Sequence, residues 1–180
     1  MASPRITGGS AKGRALLTPK RGTRPSPARL REALFNILEF RKRGLFLDLY
    51  SGSGAIGLEA ASRGWTSTCV DLNRGAAGII RQNSRNLDLS ATVVQSDALK
   101  FIERVPERFE VVFAAPPYPL ELTPIFQAIL DAEVATETGL YIFQHPTRLT
   151  PTLTHEGREL TPELRRYGSN ALSLVDAGQM

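Results

Sequence analysis

The sequence predicts an α/β fold, a doubly wound and mostly parallel sheet, on three observations. An apolar run from Leu45 to Tyr50 breaks into a glycine-rich turn and then takes up helical periodicity. Strand-like and helix-like stretches alternate from there to about residue 143, as in a series of βαβ crossovers. Two strand-like stretches come last without a helix between them, so the sheet is expected to end in a C-terminal antiparallel hairpin. A basic segment precedes the first strand. The expected organisation is a small N-terminal hairpin and helix over residues 1–43, followed by the sheet-bearing body over 44–180.

Each element has a local reason. Residues 5–17 carry short β-like pieces broken by Gly8, Gly9 and Gly13, which reads as a hairpin. Residues 19–27 form a proline-bearing basic linker. Ser26 is placed to cap a helix that opens at Pro27 and runs to about Phe40, with Leu30, Ala33, Leu34, Ile37 and Leu38 as its buried stripe. The run 45–50 is apolar throughout, as a strand buried on both faces should be. A helix follows to Ser62, and Gly64 suits the left-handed residue beyond its end. A second strand ends at Asp71, a helix covers about 74–87, a third strand 91–95 and a short helix 98–104. Strand 111–114, helix 123–130 and strand 139–143 come next, and 158–164 with 170–175 make the closing hairpin around Tyr167-Gly168.

Gly52, Gly54 and Gly57 fit G-x-G-x-x-G, in which missing side chains let the backbone turn tightly and approach a ligand. Asp48 lies in the strand before that turn. Asp71 ends the next strand, nineteen residues after Gly52, where an acidic side chain accepts from both hydroxyls of a ribose. The bound molecule should carry a ribose, which leaves a nicotinamide dinucleotide or S-adenosylmethionine. The stretch Phe109-Glu-Val-Val-Phe-Ala-Ala-Pro-Pro-Tyr118 favours the second. Its two prolines stop the ladder and leave the carbonyls after Ala115 uncommitted beside the ring of Tyr118. Such a loop suits a planar base with an exocyclic amine, whose N–H groups need acceptors and whose face stacks on an aromatic ring.

Asp-Leu-Tyr-Ser-Gly-Ser-Gly together with the later Pro-Pro-Tyr loop resembles class I S-adenosylmethionine-dependent methyltransferases that act on exocyclic amines. The match is closer to the RsmD-type enzymes, which modify guanine N2 of small-subunit 16S ribosomal RNA. Segments 5–14, 24–36, 57–64 and 167–173 extend the resemblance over nearly the whole chain. It implies a seven-stranded Rossmann-like sheet with S-adenosyl-L-methionine as cofactor. It also implies that Asp48 and the glycine turn of Ser51, Gly52, Ser53, Gly54 and Gly57 face the methionine part, Asp71 the ribose and Asp97 with Ala98 the adenine, with Tyr50, Leu72 and Asn73 as further cofactor-binding residues. Asp97 also reads as the cap of the helix that begins at Ala98. Ala115, Pro116, Pro117 and Tyr118 would hold the base. The family normally has Asp where this chain has Ala115, and loss of that charge-assisted hydrogen bond is worth roughly 1.5–3 kcal/mol, or about one to two decades of rate. A rival reading follows, an RNA-binding protein that has kept the fold and lost catalysis. A nicotinamide-dependent oxidoreductase is disfavoured, because no acid or base for hydride transfer stands near the Pro-Pro-Tyr loop.

Composition bounds the rest. At 180 residues the chain is long enough for one well-buried core. No apolar run reaches the ~20 residues of a membrane helix, and one cysteine, Cys69, excludes an internal disulfide, so a cytoplasmic protein is expected. His145 and His155 have no partners at ligand spacing, so no metal is expected. Residues 1–43 hold eleven Lys and Arg against two acids, a charge of +9, whereas the remainder holds eleven against sixteen, −5. A basic head on an acidic body points to a polyanion. Arg5, Lys12, Arg14, Arg24, Arg29 and Arg31 are the candidates to meet ribosomal RNA, within a small-subunit particle or assembly intermediate. A monomer is expected.

Overall fold

Five parallel strands, built from the apolar runs, form most of one seven-stranded sheet in the computed structural model, which describes residues 3–19, 26–117 and 120–180. They are β1 (Leu45–Leu49), β2 (Thr66–Asp71), β3 (Thr92–Gln95), β4 (Phe109–Ala114) and β5 (Ala135–Pro146). A two-stranded hairpin of β6 (Thr154–His155) and β7 (Arg158–Glu159) stands apart. The sheet is completed by β8 (Glu163–Tyr167) and β9 (Asn170–Asp176), in the order β3-β2-β1-β4-β5-β9-β8. Within this sheet, among the described residues, only the pairings of β9 with β5 and with β8 are antiparallel. The helices are α1 (Ala28–Ile37), α2 (Ala55–Ser62), α3 (Arg74–Asn86), α4 (Ala98–Arg104) and α5 (Leu122–Asp131). Strand order reverses between β1 and β4, the point at which an open α/β sheet leaves a crevice beyond its carboxyl ends.

Strand alternation divides the core. Leu47, Leu49, Val112, Ala114, Tyr141 and Phe143 point to the side covered by α4 and α5, through Ile102, Phe126, Ile129 and Leu130. Phe46, Val111, Phe113, Leu140 and Ile142 point to the other, where Leu30, Leu34 and Phe35 of α1 and Ile56 and Ala60 of α2 meet them. Ile6, Ala11 and Leu16 of the N-terminal segment share a third cluster with Leu58 of α2 and Ile80 of α3. That segment does turn as a hairpin, held by one bridge between Arg5 and Ala15 and by a hydrogen bond from Ile6 N to Arg14 O at 3.0 Å. It lies so close to α2 that a Cβ on Gly9 would fall 1.8 Å from the Ser62 carbonyl oxygen. The basic head is thus packed into the body's own core.

Several expected boundaries are corrected. Pro27 is the N-cap of α1, and Ser26 makes no capping bond with its side chain. The helix stops at Ile37. Phe35 joins its buried stripe, along with Arg31. β5 begins at Ala135, because Thr136 and Thr138 bond to Glu110 of the neighbouring strand and carry the polar start of the strand along it. The expected strand 158–164 is divided, with Arg158 and Glu159 in β7 and β8 starting at Glu163, just after Pro162. Among the described residues no helix is long and apolar enough to cross a membrane.

Candidate active site

Three of the five residues 50–54 take the left-handed conformation: Tyr50 at φ 60, Gly52 at φ 57 and Gly54 at φ 79. A tyrosine there costs of order 1–3 kcal/mol, so the surrounding structure must hold it. Asp48 supplies part of that hold. It is buried, its Oδ2 accepts from Gly57 N at 2.9 Å, and its carbonyl accepts from Ser51 Oγ at 2.7 Å. Asp48 therefore ties β1 to α2 behind the turn. Burial raises its carboxyl to about 7, helped by the Asp71 charge and opposed by the bonds from Gly57 and Ser51. Gly57 is also a packing position, since a Cβ there would meet Cys69 Sγ at 2.3 Å. Gly54 leaves no room either, with Ile80 Cγ1 2.8 Å from its would-be Cβ. Ser53 is buried, and its Oγ accepts from Ala55 N at 3.3 Å at the start of α2.

The end of β2 is locked to this turn. Asp71 Oδ2 accepts from Gly52 N at 2.8 Å, and Oδ1 accepts from Asn73 N at 2.9 Å. Each oxygen retains acceptor capacity, and Asp71 is only half-buried, so a diol can still bond to it. Asn73 caps α3 by accepting from Ala76 N, while Leu72 stands 67% exposed beside Asp71. Asp97 caps α4 through Lys100 N at 3.0 Å, and Ala98 behind it is buried. Tyr50 reaches the same corner: burial and the charge of Asp97 push its phenol up to about 12. The glycine turn, Asp71 and Asp97 therefore converge. The remaining acceptor capacity on the half-buried Asp71 suits a ribose-bearing cofactor.

β4 delivers Ala115 to the same edge of the sheet, with Ala115 N 3.4 Å from Leu49 O. Pro116 is buried and Pro117 exposed. Ala115 brings no side-chain acceptor. Tyr118 lies outside the described residues. Among those described, no group of three or more His, Cys, Asp or Glu could hold a metal.

The basic candidates do not share one role. Arg31 is 1% exposed and donates to Glu59 Oε1 at 3.3 Å, Ser26 O at 3.1 Å and Arg5 O at 2.7 Å, so its expected place on an RNA-facing surface is corrected. Helix periodicity puts Arg31 one residue after Leu30 on the buried side, and only a buried acid could have shown this. That acid is Glu59, fully buried, which sequence reasoning missed; it also accepts from Thr7 N, Gly8 N and Arg63 Nε. Arg5, Lys12, Arg14 and Arg29 are exposed. Arg5 donates to Gly13 O and Arg14 to Asn86 O, which fixes both near the hairpin. Arg24 lies outside the described residues.

Comparison with known proteins gives the family of the chain. The profile of a family described as conserved hypothetical protein 95 matches residues 4–176. YlbH of Bacillus subtilis, named as a candidate rRNA methyltransferase, is 30% identical over 151 residues, 78% of this chain and 82% of that one. Ribosomal RNA small subunit methyltransferase D of Escherichia coli K12 is 37% identical over 118 residues, an alignment spanning 63% of this chain and 60% of the enzyme. The solved structure of a hypothetical protein from Thermus thermophilus superposes with a TM-score of 0.87 at 42% identity, covering 96% of this chain and 99% of that one. The chain belongs to this family, the RsmD-type branch of the S-adenosylmethionine-dependent methyltransferases.

Proposed function

We propose that the protein methylates the exocyclic N2 amine of a guanine in small-subunit ribosomal RNA, acting in the cytoplasm as a monomer on a subunit particle or assembly intermediate. The observation that carries this reading is the convergence of the glycine turn, Asp71, Asp97 and the Ala115–Pro117 loop at the sheet's switch point, through the bonds from Gly52 N to Asp71, from Ser96 N to the Asp71 carbonyl and from Ala115 N to the Leu49 carbonyl. When bound, S-adenosylmethionine supplies an electrophilic methyl group. Ser51 to Gly54 would hold its methionine part, Asp71 its ribose, and Asp97, Ala98 and the exposed Leu72 its adenine. Asp48 and Gly57 act one step behind, by fixing the turn. Carbonyls of Ala115 and Pro116 would accept from the base, and the ring of Tyr118 would stack on it. The amine can lose its proton to solvent after attack, so the chain's task is mainly to hold the nitrogen in line.

A basic surface of Arg5, Lys12, Arg14 and Arg29, with Arg24 beside them in sequence, would meet the RNA backbone. A guanine inside a helix must be unstacked to reach the loop. The test is nucleoside analysis of 16S ribosomal RNA from cells with and without the protein. An N2-methylguanosine that disappears with the protein and returns on complementation is expected; unchanged nucleoside content overturns the reading.

A further inference from the structure

We infer that Gln144 supplies the side-chain acceptor for the target amine that Ala115 lacks, an assignment that rests on the proposed function above. Among the described residues, Gln144 Oε1 is the one buried side-chain polar atom without a hydrogen-bond partner. Such orphans are rare in folded proteins, because the group has left water and gained nothing in return. Its location gives the reason. β4 and β5 pair in parallel with Val112 opposite Tyr141, Phe113 opposite Ile142 and Ala114 opposite Phe143. Continuing that register by one residue sets Gln144 beside Ala115, about 4.8 Å away across the strands. Alternation puts both on one face. Ala115 packs with Val111, Phe113, Leu140 and Ile142, whereas Ala114 and Phe143 belong to the cluster on the opposite face. An orphaned amide oxygen thus stands next to the residue that opens the base-holding loop.

The chemistry fits a guanine amine. An N–H group needs an acceptor, and among the described loop residues only backbone carbonyls offer one, since Ala115, Pro116 and Pro117 have no polar side chains. The carboxamide carries the missing oxygen on a neighbouring rigid strand. The residue as a whole is half-buried, and the terminal torsion of a glutamine is broad, so a small turn of the amide presents the oxygen to the cleft. As a neutral acceptor it orients the amine without the charge of a carboxylate. The orphaned atom is then a binding site that the substrate completes.

The experiment compares wild type, Gln144→Leu, Gln144→Glu, and Gln144→Leu combined with Ala115→Asp. For each, calorimetry measures S-adenosylmethionine affinity, urea denaturation measures stability, and kcat and KM are measured for methyl transfer to small subunits. Gln144→Leu should lower kcat about 10- to 100-fold with cofactor affinity unchanged and stability equal or higher, because an unpaired polar atom has been replaced by an apolar one. Gln144→Glu should retain activity. Ala115→Asp should restore it in the leucine background, because it offers a carboxylate from the adjacent position. Unchanged kcat in Gln144→Leu overturns the inference alone. So does a loss that comes with reduced stability and is not rescued by Ala115→Asp. A wild type that binds cofactor and transfers no methyl overturns the proposed function, and the inference with it.

Discussion

Replacing Arg31 with methionine distinguishes a buried tether from an RNA contact. The guanidinium bonds to Glu59, to the Ser26 carbonyl and to the Arg5 carbonyl, and both Arg31 and Glu59 are essentially inaccessible to water. Breaking a buried ion pair from one side costs about 3–5 kcal/mol, since the remaining charge stays buried without its partner. Arg63 Nε at 2.8 Å and the N–H groups of Thr7 and Gly8 still serve Glu59, which places the expected loss near the lower end of that range. At roughly 2–4 °C per kcal/mol for a domain of this size, the midpoint should drop by about 6–12 °C. Thermal and urea unfolding give the stability, and RNA affinity is measured at a temperature where the variant remains folded. Arg29→Ala is the control on the exposed face of the same helix. It should change stability by less than about 0.5 kcal/mol and reduce the salt dependence of RNA binding by roughly one phosphate contact. The reasoning is refuted if Arg31→Met unfolds like wild type while binding RNA less tightly.

Asp71→Ala removes the acceptors for Gly52 N, Asn73 N and the ribose, and should weaken cofactor binding by about 10- to 100-fold in calorimetry. Gly54→Ala meets both φ 79 and the Ile80 side chain, so it should lose about 1–3 kcal/mol of stability in urea and bind cofactor poorly; wild-type behaviour would remove the steric argument. Asp48 adds a pH dependence of defined sign. Its folded pKa of about 7 lies above the ordinary 3.8, so the folded state holds the proton more tightly and this group's contribution to stability falls as pH rises from about 4 to about 7. The span amounts to about 4 kcal/mol. Asp48→Asn should flatten that decline in unfolding curves taken across pH, and an equally steep decline in the variant would show that another group is responsible.

Much of the fold was legible because parallel strands buried on both faces are written as apolar runs, and the glycine turn marks where the first one ends. The polar start of β5 was not legible, since Thr136 and Thr138 are held by Glu110, a pairing that only the sheet register creates. The same limit applied to Arg31. A basic residue in a basic segment reads as surface until Glu59, 28 positions away, is seen to meet it. In the candidate site, the acids and glycines stood out by spacing, but the spacing did not separate Asp71, half-buried at the end of β2, from Asp48, which is buried and braces the turn from behind. Gln144 gave no signal in the sequence, because an unpartnered oxygen is a property of its surroundings.

The most direct measurement is transfer of labelled methyl from S-adenosylmethionine to small ribosomal subunits, or to their RNA, taken from cells that lack this protein. The account predicts label on N2 of a guanine, lost when Asp71 is replaced. Protein that binds the cofactor, contacts the RNA and leaves no label on it would contradict the central claim and identify an RNA-binding protein that has kept a methyltransferase fold.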